Sequence, residues 1–567
     1  MYFDVPIEMD DGLVLRADLF LPAAQGPYPV ILSHGPYAKG LAFQDGYSSA
    51  WNIMVRDHPD VPAGSTNKYQ SWEVVDPEKW VPEGYACLRV DSRGAGRSPG
   101  YLDVWSRRET QDFAQCIEWA GVQPWSNGKV GLAGISYYAI NQWQVASLQP
   151  KHLAAMCPWE GFNDFYREAT HHGGILSTFF ANWYERQVLT VQHGCGERGG
   201  RSRVTGELAC GPEVLEESEL RRNRADLGAE VAAHRLDDAY YADRATAWDK
   251  VVTPVLSCGN WGGNGLHLRG NIEGFVAAAS RHKWLEMHGG THWAGFYTDY
   301  GVALQKRFFG KFLKGDDNGW DKQPPLQLQI RDHEGRFSER HEDAWPIPRT
   351  CWTKLHLDPA RLSLEPDAPQ GAATATYDSK DDGITFLAAP FDTTTEITGP
   401  LAARLCISSN TEDADIFLVV RLLDPDGKEV VFQGALDPAT PLAQGWLRAS
   451  HRKLDSGRSL PHRPYHSHDE LSPLVLGEVA TLDIEIWPTC IVAPAGYCIA
   501  LTVRGTDYVS DRPPMSLSNL KKPMTGCGPF VHDDPRDRPN GVFAGKVTIH
   551  AGGRHENWLL VPFVPPK

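Results

Sequence analysis

The sequence predicts an α/β chain that ends in a β-rich domain: a mostly parallel sheet with helices on its faces, an inserted helical cap, and a C-terminal antiparallel β-sandwich. Two patterns carry this. Up to about residue 160, and again over 253–287, short apolar runs alternate with helix-like segments, which is how a parallel sheet with crossover helices reads. Beyond Gly315-Asp316-Asp317-Asn318-Gly319 the period changes, and single apolar residues alternate with polar ones. At about 100–200 residues per domain, 567 residues accommodate two or three domains.

In chain order the strand-like runs are Pro29–Leu32, Ala86–Leu88, Lys129–Leu132, Leu153–Met156, Thr253–Ser257 and Lys283–Met287. Between the second and third, Phe113, Cys116, Ile117 and Ala120 recur at i, i+3, i+4, i+7, so a helix there presents one apolar face to the sheet. Glu109 and Asp112 favour its N-terminal end electrostatically. The stretch over 165–244 interrupts the pattern. It is aromatic early (Phe179, Phe180, Trp183, Tyr184) and charged later (Glu213 to Arg224), which suits a helical cap with one side over a pocket. In the last part, Leu482, Ile484 and Ile486 alternate with Asp483 and Glu485, and Asp426-Gly427 marks a hairpin turn. The expected division is a core over 1–164 and 245–335, a cap over 165–244 and a β-sandwich over 345–567.

The formal net charge of −16 works against binding nucleic acid or anionic lipid, both of which need clustered Lys and Arg. The expected ligand is a small molecule, with room for homo-oligomers. Asp4 stands where a secretory signal needs a basic region, and no run approaches about 18 apolar residues, so a soluble, cytoplasmic protein is expected. Eleven cysteines lack a CxxC pair and many lie in apolar runs, which suits buried thiols better than disulfides or zinc.

Ser136 follows the Val130–Ala133 run in Gly134-Ile135-Ser136-Tyr137-Tyr138 and precedes a helix-like segment that ends near Pro150. Strand, sharp turn and helix with serine at the apex lift Oγ out of the sheet and aim the Tyr137 N–H at a developing oxyanion. A nucleophile elbow usually has a second glycine two residues on, where this chain has Tyr138. A serine hydroxyl needs a base, and in an α/β-hydrolase sheet the base arrives after the last strands; His292, in Gly289-Gly290-Thr291-His292-Trp293, fits that place. Asp91 to Ser98 lacks the ending of a P-loop and reads as a structural turn beside the elbow. His462, His466 and His468 with Asp469 have loosely metal-like spacing but read as a surface loop of the sandwich.

Gly134-Ile135-Ser136-Tyr137, Asp91 to Ser98, Gln123 to Gly131 and Met9 to Asp18 together resemble the cocaine-esterase and Xaa-Pro dipeptidyl-peptidase family of hydrolases, over nearly the whole chain. The resemblance implies a hydrolase core, a helical cap, a C-terminal jelly-roll and acyl-enzyme chemistry on esters or amides without a cofactor. It also implies that Tyr37, in Gly35-Pro36-Tyr37, is the phenol that completes the oxyanion hole.

The departure is the third triad member. The family carries an aspartate soon after the strand equivalent to Val255–Cys258, but Gly259 to His267 contains no carboxylate, and none follows before Glu273. Three readings remain: Asn264 orients His292 through its amide oxygen, which is the reading adopted; Glu160 or Glu273 has moved in; or the enzyme is impaired. Within enzymes the rival substrate is an Xaa-Pro dipeptide, whose α-amino group Glu160 and Asp164 would hold. The rival of another class is an inactive binding protein on a hydrolase scaffold.

Overall fold

The alternating runs form one ten-stranded sheet. In the computed structural model, which describes residues 1–24 and 26–567, its strands are β1 (Tyr2–Glu8), β2 (Val14–Phe20), β3 (Tyr28–Gly35), β4 (Ala86–Asp91), β5 (Ser126–Ile135) and β6 (Leu153–Trp159). A two-residue pair, β7 (His171–His172) and β8 (Ile175–Leu176), stands apart in the insertion. The sheet resumes with β9 (Val255–Asn260), β10 (Lys283–His288), β11 (Leu326–Arg331) and β12 (Phe337–Glu342).

The order is β1-β2-β4-β3-β5-β6-β9-β10-β11-β12, parallel from β4 to β11 and antiparallel at both ends. Pairing of β12 with β11 carries the sheet past residue 335, the boundary expected from sequence. The order reverses between β3 and β5. A crevice opens at such a switch point, outside the carboxyl ends of the strands, and Tyr37 and Ser136 follow those two strands.

The helix Arg107–Gly121 buries Phe113, Cys116, Ile117 and Ala120, the face its spacing predicts, and Ser106 caps it by accepting the Glu109 N–H. Full burial of Phe113 or Ile117 stabilises by about 1.5–3 kcal/mol each. In the insertion, Phe179, Phe180 and Trp183 are buried while Glu217, Arg221 and Arg222 face solvent, as the composition shift implies.

The second sheet holds β13 (Cys351–Asp358), β14 (Ser363–Glu365), β15 (Ala373–Asp378), β16 (Ile384–Ala388), β17 (Thr395–Ser409), β18 (Asp415–Leu423), β19 (Glu429–Val430), β20 (Ala443–Arg448), β21 (Ala480–Ala493), β22 (Cys498–Arg504), β23 (Lys546–Ala551) and β24 (Trp558–Phe563). Because β17 pairs with both β21 and β24, the hydrogen-bonded path returns on itself and encloses a core that includes Leu482, Ile484 and Ile486. Asp483 and Glu485 point outward and pair with Arg404 and Arg269; the latter lies on the helix Leu268–Ala277 of the first body.

The loop after β19 docks on the first body: the Ala435 carbonyl accepts the His292 N–H at 2.8 Å, and the Ala435 N–H donates to Gly262 at 2.9 Å. Asp437 holds a neighbouring loop by accepting the N–H groups of Gly526 and Gly528. The expectation of a surface histidine loop is corrected here. His466 and His468 are buried because their segment folds back on the insertion, where the Arg167 guanidinium donates to the His466 carbonyl and Tyr166 packs on His468. His462 stacks on Trp352. Among the described residues no helix is long and apolar enough to cross a membrane.

Candidate active site

Ser136 sits between β5 and the helix Tyr137–Ala146 with φ 55° and ψ −111°. A non-glycine residue there carries strain, on the order of 1–3 kcal/mol, that a functional site retains when the surrounding structure enforces it. The turn is possible because Gly134 has no side chain: a Cβ there would lie 2.3 Å from Cβ of Tyr138. The same absence explains the departure from the two-glycine elbow, since the Tyr138 ring occupies the space left over Gly134 and Gly35.

Two more left-handed residues converge on this point, Glu160 (φ 52°) and Glu73 (φ 61°). The Ser136 N–H donates to the Trp159 carbonyl at 3.0 Å, so the elbow is tied to the end of β6, where Glu160 follows. The Ile135 N–H donates to the Glu73 carbonyl at 3.0 Å. Glu160 and Glu73 are thus attached to the elbow by backbone.

His292 lies between these two carboxyl groups, with Nδ1 2.7 Å from Glu160 Oε2 and Nε2 3.2 Å from Glu73 Oε1. Glu160 Oε1 in turn meets His288 Nε2 at 2.9 Å and the Asn260 amide at 3.2 Å; His288 Nδ1 meets Glu286 at 2.8 Å. Burial works to raise the Glu160 pKa, but His292 and His288 outweigh it and hold the group at about 2. Burial would lower the two histidines, and the carboxylates instead lift His292 to about 9 and His288 to about 10. Burial pushes Glu73 up to about 7 against the pull of His292.

The carboxylate at His292 Nδ1 is Glu160, and the expectation that Asn264 stands there is corrected: Asn264 is buried, makes no hydrogen bond to His292, and its Oδ1 finds no partner among the described residues. The physical reason is that Glu160, at the tip of an adjacent strand, delivers a charged acceptor where Asn264 offers a neutral one. Glu273 is spent on an ion pair with Arg463.

The hydroxyl of Ser136 meets a residue that the sequence reading did not single out. His267 Nε2 lies 3.2 Å from Ser136 Oγ, and the His267 and His292 rings stack with centroids 5.1 Å apart and planes 11° apart. The available signal was that His267 is the acid–base residue of the loop after β9, immediately before a helix. For Glu73 and His288 no sequence signal existed, because each acts through a fold-level contact.

Tyr37 is buried against Tyr137, Tyr138 and Trp183, and its hydroxyl accepts the Trp183 indole N–H at 3.1 Å. Asp91 fixes this loop by accepting the backbone N–H groups of Lys39 and Arg97 at 2.6 and 2.8 Å, which gives the Asp91–Ser98 turn its structural role. Tyr137 opens the helix after Ser136, leaving its backbone N–H free of intrahelical duty, while its hydroxyl bonds Glu109. Tyr37, Ser136, His267, His292 and Glu73 line one cavity with Trp72, Trp105, Phe179, Phe180 and Trp183. Leu436, Asn519 and Leu520 of the C-terminal body close it.

A strained serine after β5 and a carboxylate-backed imidazole after β10, brought to the switch point of such a sheet, define a serine hydrolase with an α/β-hydrolase core. The chain belongs to the X-Pro dipeptidyl-peptidase (S15) family, whose model matches residues 11–294; the model of that family's C-terminal non-catalytic domain matches residues 318–560. It is similar to the cocaine esterase of Rhodococcus sp. (strain MB1 Bresler), 24% identical over 99% of this chain and 98% of that protein. A putative serine esterase of Mycobacterium bovis is 24% identical over 89% of this chain and 90% of its own length. Among solved structures, a CocE/NonD family hydrolase from Staphylococcus aureus superposes with a TM-score of 0.84 at 32% identity, over 99% of this chain and 93% of that one.

Proposed function

We propose that this serine hydrolase cleaves small esters or amides through an acyl-enzyme on Ser136, with His292 as general base and Glu160 as the carboxylate that orients it. The observation that carries the reading is the 2.7 Å contact of Glu160 with His292 Nδ1 beside a strained serine. Glu160 fixes the tautomer in which Nε2 is free to take the serine proton, and stabilises the imidazolium that results. His292 Nε2 leaves Glu73 for Ser136 as substrate enters; catalytic hydrogen bonds of a free enzyme are often long and tighten only when substrate is bound. Tyr37 and the Tyr137 N–H receive the oxyanion. Water then releases the acid through the same base.

The division into a core over 1–164 and 245–335, a cap over 165–244 and a jelly-roll sandwich over 345–567 is part of this reading, as is a cytoplasmic site of action. The closed path of the second sheet supports the sandwich. The residues expected to hold a peptide α-amino group are engaged elsewhere: Glu160 with two histidines and Asp164 with Arg167 at 2.9 Å. The ester or amide reading is therefore preferred to a dipeptidyl-peptidase.

The test is p-nitrophenyl acetate turnover with intact-mass detection of an acetylated enzyme, in the native protein and Ser136→Ala, beside an alanyl-prolyl anilide. A burst and acetyl adduct absent from Ser136→Ala support the proposal. Turnover of the anilide in preference to the ester favours the peptidase instead, and no adduct with either substrate overturns the acyl-enzyme on Ser136.

A further inference from the structure

We propose that His267 is a second catalytic imidazole, one that donates a hydrogen bond from Nε2 to the Ser136 oxygen while that oxygen exchanges its proton for a bond to the acyl carbon. The proposal rests on the reading of Ser136 as nucleophile.

The tautomer follows from the surroundings of the ring. His267 is 4% exposed, its Nε2 faces Ser136 Oγ at 3.2 Å, and its Nδ1 finds no partner among the described residues. Were the proton on Nδ1, a buried N–H would be orphaned, which folded proteins rarely tolerate. With the proton on Nε2, the donor is satisfied by Oγ and only a lone pair is left over. The Ser136 proton is then free to point at His292. Once His292 Nε2 has left Glu73 for Ser136, one imidazole donates to the serine oxygen and the other accepts from it.

The two rings are built for these different tasks. His292 has a carboxyl oxygen at each nitrogen, so it can carry a positive charge. Among the described residues His267 has no carboxylate partner, and it stands immediately before the helix Leu268–Ala277, whose positive end disfavours a second proton. Burial and the neighbouring His292 charge hold His267 well below the ordinary histidine range. A neutral imidazole at a helix N-terminus is a hydrogen-bond donor rather than a base, a role such histidines fill in other enzymes.

In the step itself, the Ser136 O–H bond breaks and the proton passes to His292 Nε2. The Oγ electron pair forms the bond to the carbonyl carbon, and the carbonyl π pair moves onto the oxygen facing Tyr37 and the Tyr137 N–H. His267 keeps its proton throughout. As the stacked His292 ring becomes imidazolium, its charge makes the His267 N–H more acidic and the hydrogen bond to Oγ stronger. In deacylation water adds its oxygen to the acyl carbon and gives a proton to His292; the C–Oγ bond then breaks, its electron pair returns to Oγ, His292 hands that proton to Oγ, and the His267 donor is in place beside it.

Fluorophosphonate labelling and p-nitrophenyl acetate kinetics against pH, on the native enzyme, His267→Ala, His267→Gln and Ser136→Ala, test the proposal. Labelling that persists in Ser136→Ala would defeat the nucleophile reading itself, separately from the role of His267. The expected result is a kcat/KM about 10²–10³ lower in His267→Ala, the usual loss for one transition-state donor, with His267→Gln restored to within about tenfold of native. The pH at which the rate rises stays unchanged in His267→Gln, because a residue that does not titrate cannot set it. A glutamine variant as poor as the alanine one, or an alanine variant as fast as native, overturns the proposal. Should His267→Ala fail to fold, ring ¹⁵N shifts of histidine-labelled protein, assigned by the signal lost in His267→Gln, decide the tautomer: a proton on Nδ1 overturns it.

Discussion

Glu160 Oε2 lies 2.7 Å from His292 Nδ1, so the carboxylate at that nitrogen comes from the end of β6 rather than from the loop after β9. Glu160→Gln keeps the shape and removes the charge that fixes the tautomer. Its kcat is expected to fall by about 10³–10⁴, with KM little changed, as steady-state kinetics on p-nitrophenyl acetate will report. Asn264→Ala, which deletes a side chain that makes no hydrogen bond to His292, is expected to stay within about threefold of native.

Glu73 helps to set where His292 titrates. Its carboxyl at Nε2 favours the imidazolium of His292 and so contributes to the value of about 9. A base that must be neutral to act gives a rate that rises with pH. Removing the charge in Glu73→Gln lowers the His292 pKa, so the rising limb of kcat/KM is expected to move to lower pH. A pH profile of native and variant checks the direction.

Stability should follow the same buried chain. His288 and His292 have folded pKa values above the ordinary histidine value of 6.5, at about 10 and 9. Their contribution is complete below 6.5 and lost as pH rises through about 9–10. Glu160, held at about 2, contributes above its ordinary value of 4.5 and loses this as pH falls toward 2. Tm measured by calorimetry is expected to fall on both sides, and His288→Gln to reduce the alkaline loss.

Arg448 stands where the C-terminal body meets the insertion, its backbone N–H donating to the Gly173 carbonyl; it is 2% exposed, and its guanidinium pairs with Asp415 and Asp537 of its own body, each at 2.8 Å. Removing one member of a buried pair leaves uncompensated charge, so Arg448→Met is expected to destabilise by about 3–5 kcal/mol in denaturant unfolding. Because Leu436, Asn519 and Leu520 close the cavity, KM should rise as well.

Much of this was legible in the residues. The helix over Phe113 to Ala120 and the alternation at Leu482 to Ile486 are local patterns, and both appear where their period put them. Ser136 was legible because a strand, a turn and a helix are contiguous in sequence. Glu160 was visible only as one of several carboxylates, since its partner is 132 positions away and a backbone bond to Cys258 brings β6 and β9 side by side. His267 and Glu73 reach the serine through loops whose path no periodicity encodes. The buried histidines at 466 and 468 looked like a surface loop because their cover comes from the insertion around Tyr166 and Arg167.

The most direct test of the Ser136–His292–Glu160 arrangement is the second-order rate of fluorophosphonate labelling, followed by intact mass, in the native protein, Ser136→Ala, Glu160→Gln and Asn264→Ala. A single adduct that vanishes in Ser136→Ala, slows by orders of magnitude in Glu160→Gln and forms at the native rate in Asn264→Ala is the result this account predicts. Native-rate labelling in Glu160→Gln together with a collapse in Asn264→Ala would contradict it.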